Sequence, residues 1–193
     1  IIVDEVQSGA GRTGTLFAYE QFGVKPDIMC CAKGIGGGIP IAAVLTTTKI
    51  AKSMEIGSHG TTFGGNPLAC AVAEKVMTLL TKKMLLNGVK KKEKIFLREL
   101  QSINKDHKCF SAIRSSGLWI GCKLNVTENF NLDTVMKACY ENGLMILKAN
   151  DNTIRIAPSL IIEDSLILKG LKILRAVIPV SYTHLTLPTK VEV

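Results

Sequence analysis

The chain has 193 residues, 47% of them apolar and 21% charged, a balance that excludes an intrinsically disordered segment. The net charge is +8, but much of the excess lies in one stretch, Lys82, Lys83, Lys90, Lys91, Lys92 and Lys94, with no aromatic platform beside it. That pattern predicts a solvated helix face rather than a nucleic-acid surface, and no run approaches the roughly 18 apolar residues of a membrane span.

Residues 1–3, Ile-Ile-Val, read as a buried strand already under way and ending at Asp4. With no initiating Met, they predict a fragment whose upstream half, with any targeting signal, lies outside it. Ser8-Gly-Ala-Gly-Arg-Thr-Gly14 follows as a loop, with Arg12 bracing it. Residues 28–32 form a second buried strand that ends at Lys33. Gly34, Gly36, Gly37 and Gly38 make a flexible turn closed by Pro40, and residues 41–46 read as a third strand. Buried strands ending at polar residues indicate one edge of a mostly parallel α/β sheet, where ligands bind at the carboxyl ends.

Asn66-Pro67 opens a helix with an N-cap residue and a proline at its first position, and Leu68, Val72, Val76, Leu79 and Leu80 fall on one face. A second helix is expected after Asn87-Gly88, with Val89, Phe96, Leu100 and Ile103 as its apolar face. Leu118, Ile120, Cys122 and Leu124 alternate as a strand. Residues 132–142 read as a helix stopped by Gly143, 153–157 as a strand, and 163–177 as a helix with acids first and bases last. The six cysteines show no metal-ligand spacing and read as small, reduced core residues of a cytoplasmic protein. Residues 180–193 look foreign, similar to the translation of a sequencing adapter; a native β-rich tail is the alternative.

Lys33 stands at a strand end before four glycines, where a partly dry pocket would free its amine as a nucleophile. A snorkelling Lys beside a turn is the plainer reading. Asp4 ends the neighbouring strand and should face the same crevice. An anionic Asp and a reactive Lys in one cavity suit a pyridinium cofactor, the Asp keeping the ring nitrogen protonated and the Lys forming the Schiff base. A simple Asp–Lys ion pair is the competing explanation. A phosphate- or nucleotide-binding module built on residues 34–38 lacks the glycine patterns it would need.

Asp4-Glu-Val-Gln7, Gly11-Arg-Thr-Gly14, Pro26-Asp27, Ala32-Lys-Gly-Ile-Gly-Gly-Gly38 and Thr61-Thr-Phe-Gly-Gly-Asn-Pro67 occur in this order. Together they resemble the class III pyridoxal-phosphate aminotransferases of fold type I, over residues 1–178, about the C-terminal half of a subunit. Within that family the runs after Lys33 and His59 look most like acetylornithine aminotransferase. The resemblance implies an α/β chain: residues 1–86 as the end of a large, mostly parallel-sheet cofactor domain and 87–179 as a small C-terminal α/β domain, leaving the adapter-like residues 180–193 as a non-native tail.

It also implies roles. Lys33 would carry pyridoxal 5'-phosphate and shuttle the proton. Asp4 would pair with the ring nitrogen, Val6 pack on the ring, and Gln7 bind the phenolic oxygen. Thr62 would hold the phosphate from the neighbouring subunit of a homodimer, Thr61 would touch substrate, and Arg155 would bind a substrate carboxylate. Apart from the motif, Thr61 and Thr62 read as a turn before a helix, and Arg155 as half of a structural ion pair. The expected reaction moves the δ-amino group of N-acetylornithine to 2-oxoglutarate, with another ω-amine donor (ornithine, succinylornithine or 4-aminobutyrate) as the alternative.

Overall fold

The structure is a computed structural model and describes residues 1–127 and 130–183, with side chains of residues 180–183 left aside. The chain divides into two compact units, Ile1–Lys90 and a second from Lys91 onward.

The first unit holds a three-stranded sheet in the order β1 (Ile2–Asp4), β2 (Ile28–Cys31), β3 (Ala43–Thr46). β1 and β2 run parallel, with Asp4 abreast of Cys30, while β3 returns antiparallel to β2. The buried-strand expectation holds for Met29 and Cys31 but not for the outer strands: Ile2 is 71% exposed, and Val44 and Leu45 are exposed as well. An apolar run buries fully only when both sheet faces are covered, and here that cover reaches only the middle strand.

The glycine turns carry more structure than the sequence suggests. Ala18–Phe22 and Lys33–Gly36 each wind into a 3₁₀ helix, and a one-turn helix α1 (Thr48–Ala51) follows β3. Helix α2 (Pro67–Leu80) begins as expected, Asn66 accepting the Ala69 amide at 2.9 Å. Its inward stripe differs from the expected one. Ala69 and Leu80 are buried and Val72, Ala73, Val76 and Met77 half-buried, whereas Leu68 (69%) and Leu79 (41%) are exposed. The small Ala69 wins the inward position because the stripe follows the 3.6-residue period through 69, 72, 73, 76 and 80, from which 68 and 79 are offset.

Helix α3 (Lys83–His107) runs straight through Asn87-Gly88, where the sequence suggested a start. An interior glycine costs only about 1 kcal/mol, and the flanking Lys, Leu and Glu residues are good helix formers. Val89, Phe96, Leu100 and Ile103 are its buried residues, as their spacing indicated.

The second unit contains a four-stranded, wholly antiparallel sheet in the order β4 (Phe110–Ser116), β5 (Trp119–Leu124), β7 (Thr153–Ile156), β6 (Leu147–Ala149). Ile120, Cys122 and Leu124 alternate inward, and Cys122 lies abreast of the fully buried Ile154 on β7. Helix α4 (Leu132–Glu141) starts in a capping box: Asn131 accepts the Asp133 and Thr134 amides at 3.1 and 3.0 Å. Helix α5 (Asp164–Thr183) extends past the expected stop at residue 177 and through Pro179, so its last turn carries no base. The chain stays helical because Val177 and Ile178 are buried. Arg175, the base expected to close the helix, instead pairs with Asp106 and donates to Ser102 Oγ at 2.8 Å. Of the tail suspected as foreign, residues 180–183 continue this helix; residues 184–193 lie outside the described residues.

Candidate functional site

Two parallel strands, β1 and β2, deliver the principal candidates to the same sheet edge. Asp4 ends β1 with its carboxylate exposed; Oδ1 accepts the Val6 amide at 2.9 Å, an Asx turn that fixes the side chain where the strand stops. Val6 is half-buried and Gln7 exposed on the turn that follows. Because strand residues alternate faces, Glu5 points the other way and is buried.

Lys33 follows β2 by two residues and opens the 3₁₀ helix with φ 46°, in the left-handed region. A non-glycine residue there costs roughly 1–2 kcal/mol and persists only where its surroundings impose it, a combination that recurs at functional sites. The surroundings are tight. A Cβ added to Gly34 would come within 2.7 Å of the Ala10 methyl, and one on Gly37, itself left-handed at φ 56°, within 2.8 Å of Val76 Cγ2. These glycines let the turn close on the 8–14 loop and on α2. The Lys33 side chain itself is exposed, so the partly dry pocket expected from sequence is not formed within this chain.

Lys33 and Thr61 line one open cavity of about 730 Å³, together with Gly38, Ala42, Gly64 and Asn66. Thr61 Oγ1 accepts the Gly64 amide at 3.1 Å, pinning the loop that leads into the Asn66 cap of α2. Thr62 is exposed and does not line this cavity, and neither do Asp4, Val6 and Gln7. Arg155, on β7 of the second unit, lines a separate, mostly apolar cavity of about 270 Å³ with Leu144, Ile156 and Pro158 among others. Of the two isoleucines that flank it, Ile154 is buried and Ile156 half-buried.

Two residues with evident structural work were missed from sequence. Glu5 is 3% exposed; its carboxylate accepts the Ala18 and Tyr19 amides at 3.1 and 2.8 Å and the Ser8 hydroxyl at 2.6 Å. Ala10, 7% exposed, is left-handed at φ 54°. An acid on the inward face beside a strand-ending Asp was the available signal for Glu5; nothing in the sequence marks Ala10.

All six cysteines are free thiols, with Cys31, Cys109, Cys122 and Cys139 buried and Cys70, contrary to expectation, exposed on α2. Burial pushes the Cys122 thiol up to about 12 and the Cys109 and Cys139 thiols up to about 11. Burial also lowers the Arg12 guanidinium from its ordinary value. No group of three or more His, Cys, Asp or Glu side chains among the described residues could hold a metal ion, and no described helix is long and apolar enough to cross a membrane.

A parallel strand pair ending in an acid and a strained lysine, above a glycine-rich turn, is an arrangement suited to a phosphorylated pyridinium cofactor. Residues 1–178 match the Aminotransferase class-III family, and the chain belongs to it. Succinylornithine transaminase of Yersinia pseudotuberculosis is 50% identical over 171 residues, covering 89% of this chain and 41% of that protein. Acetylornithine/succinyldiaminopimelate aminotransferase of Buchnera aphidicola is 48% identical over 172 residues, covering 89% and 42%. Among solved structures, N-acetylornithine aminotransferase from Stenotrophomonas maltophilia superimposes with TM-score 0.83 at 36% identity, over 93% of this chain and 46% of that one. Ornithine δ-aminotransferase of Plasmodium falciparum gives 0.86 at 31% identity, over 95% and 48%. The chain thus spans about two-fifths of the curated relatives it matches. The family is pyridoxal-phosphate dependent and its fold is fold type I. The chemistry of the residues present is compatible with that cofactor: the amine of Lys33 could hold its carbonyl, and the Asp4 carboxylate, at the end of the adjacent strand, could serve its ring nitrogen.

Proposed function

We propose that this chain works as the C-terminal portion of a longer aminotransferase subunit that moves the δ-amino group of N-acetylornithine to 2-oxoglutarate in the cytoplasm. The observation that carries the reading is Lys33, held in a left-handed backbone at the carboxyl edge of the sheet beside the Asp4 strand. The names of the relatives support an acylated ornithine as donor, and the 50% identity to succinylornithine transaminase keeps the succinyl compound as a second donor. Residues 1–86 would complete the cofactor domain and 87–179 form the small domain.

Bound pyridoxal phosphate supplies a sink for the electron pair released at the substrate carbon. Lys33 would anchor the cofactor by its amine and, once displaced by the substrate amine, carry the proton to and from the reacting carbon. Asp4 would keep the ring nitrogen protonated, its Oδ1 already oriented by the Val6 amide; Val6 would pack on the ring and Gln7 hydrogen-bond the phenolic oxygen. Thr61 would meet substrate in the Lys33 cavity, and Thr62 would serve the phosphate of a neighbouring subunit. Arg155 would clamp a substrate carboxylate with its planar, bidentate donor set.

Borohydride reduction of the cofactor-loaded, full-length subunit should fix pyridoxal phosphate to the peptide containing Lys33. Labelling of another lysine, or of none, overturns the assignment. Comparing kcat/KM for N-acetylornithine, succinylornithine, ornithine and 4-aminobutyrate then decides the donor.

A further inference from the structure

We propose that Glu5, acting through Ala10, is a positioning residue that holds Lys33 in its left-handed backbone at the end of the strand beside that of Asp4; this rests on the reading that Lys33 and Asp4 serve the cofactor. The Glu5 carboxylate is buried and has a well-defined set of donors. Glu5 is placed by β1: its amide donates to Cys30 O on β2 at 2.8 Å, which registers it against the strand leading to Lys33. Its carboxylate takes the first two amides of the 3₁₀ helix Ala18–Phe22 and the Ser8 hydroxyl, and its own carbonyl accepts the Gly9 amide at 3.0 Å. Both ends of the 8–17 loop are therefore tied to one side chain, and that side chain stands directly after Asp4.

The tied loop presents Ala10. With its left-handed backbone, Ala10 is pushed inward until its methyl fills the space where a Gly34 Cβ would sit. The Ala10 methyl thus abuts Gly34, the residue that follows Lys33, so one strained non-glycine residue packs against the turn that holds the other. Hydrogen bonds to a charged, buried acceptor are the strong kind, and losing them frees the loop. Once Ala10 backs away, the turn at Gly34 has room to relax and Lys33 is no longer held in its left-handed backbone. Glu5 touches neither cofactor nor substrate in this scheme. It acts on the backbone that carries Lys33.

The test uses the full-length, folded subunit and two readouts other than turnover. One is the stopped-flow rate at which free pyridoxal phosphate becomes linked to Lys33. The other is the induced circular dichroism of the bound cofactor per unit absorbance, which reports how rigidly the ring is held. Glu5→Ala should slow linkage about tenfold and lower the dichroic ratio at least about twofold. Glu5→Gln, which keeps one oxygen for the Tyr19 amide, should recover part of both. Ala10→Gly removes the buttressing methyl while relieving the local φ, and should reproduce the Glu5→Ala changes without loss of thermal stability; it decides the matter if Glu5→Ala does not fold. Parental values for both readouts in Ala10→Gly, or in a folded Glu5→Ala, overturn the proposal. If the parent protein itself fails to label at Lys33, the proposed function fails instead. A parent that labels there while the variants behave normally sinks only the positioning role.

Discussion

At the scale of single residues, chemistry here depends on side chains that adjacent positions send in opposite directions. Asp4 and Glu5 are both carboxylates, yet one is exposed at the strand end and the other buried under backbone donors. Their proposed work differs accordingly: the exposed one is free to meet a cation, the buried one is fully engaged. Asp4→Asn in the full-length subunit should preserve the Asx turn through the amide oxygen but remove the charge that favours a protonated ring nitrogen. Turnover should fall by orders of magnitude; a loss within tenfold, about 1.4 kcal/mol, excludes Asp4 as the pyridinium partner.

The buried thiols give a second residue-scale expectation. Cys109, Cys122 and Cys139 have folded values of about 11, 12 and 11, raised above the ordinary 9.0 by burial. Above pH 9 the unfolded chain loses these protons while the folded chain keeps them, so the unfolded state binds fewer protons and stability falls as pH rises towards 11. Their stabilising contribution is complete below about pH 9. Urea midpoints measured from pH 8 to 10.5 should decline, and Cys122→Ala should flatten part of that decline even though it lowers stability at pH 8. Iodoacetamide at pH 8 should modify the exposed Cys70 well before the three buried thiols.

At the scale of elements, legibility followed how locally each signal was written. The starts of α2 and α4 could be read because Asn66-Pro67 and Asn131 to Thr134 satisfy orphan amides within one turn. The inward alternation of Ile120, Cys122 and Leu124 was equally plain. Lys33 was marked by its strand end before four glycines and Thr61, which shares its cavity, by a motif that resembled a family; Glu5 and Ala10 were not marked, because their importance lies in contacts 13 and 24 residues away, to Ala18 and Gly34. β4 is broken by Arg114 and three serines, and β6 is three residues long, so neither carries a usable period. The start of α3 was misread because an Asn-Gly pair is a strong turn signal taken alone, outweighed here by helix formers on both sides. Asn66→Ala tests the local reading directly. It should destabilise the fold by about 1 kcal/mol through the lost Ala69 contact, whereas Asn66→Asp should cost little, and urea denaturation separates the two.

At the scale of the whole molecule, the neighbouring residues Thr61 and Thr62 are where the proposed assembly can be tested. Thr61 lines the cavity of its own Lys33, while Thr62, one residue on, does not. The same segment exposes Met54, Ile56 and Phe63, large apolar side chains that water does not favour. In the proposed assembly this loop would serve one site with Thr61 and the other with Thr62, a second copy covering its apolar side chains. The proposed homodimer would then be two-fold, with each site drawing on two chains. Full-length Thr62→Ala and full-length Lys33→Ala should each be severely impaired as pure proteins. After subunit exchange, the mixed dimer pairs one chain's intact Lys33 with the other's intact Thr62, so one site per dimer is whole and activity should return to a substantial fraction of the parent's. If exchange is demonstrated by a fluorescent or mass label and the mixture stays as inactive as its components, Thr62 acts within its own subunit and the shared-site dimer is wrong.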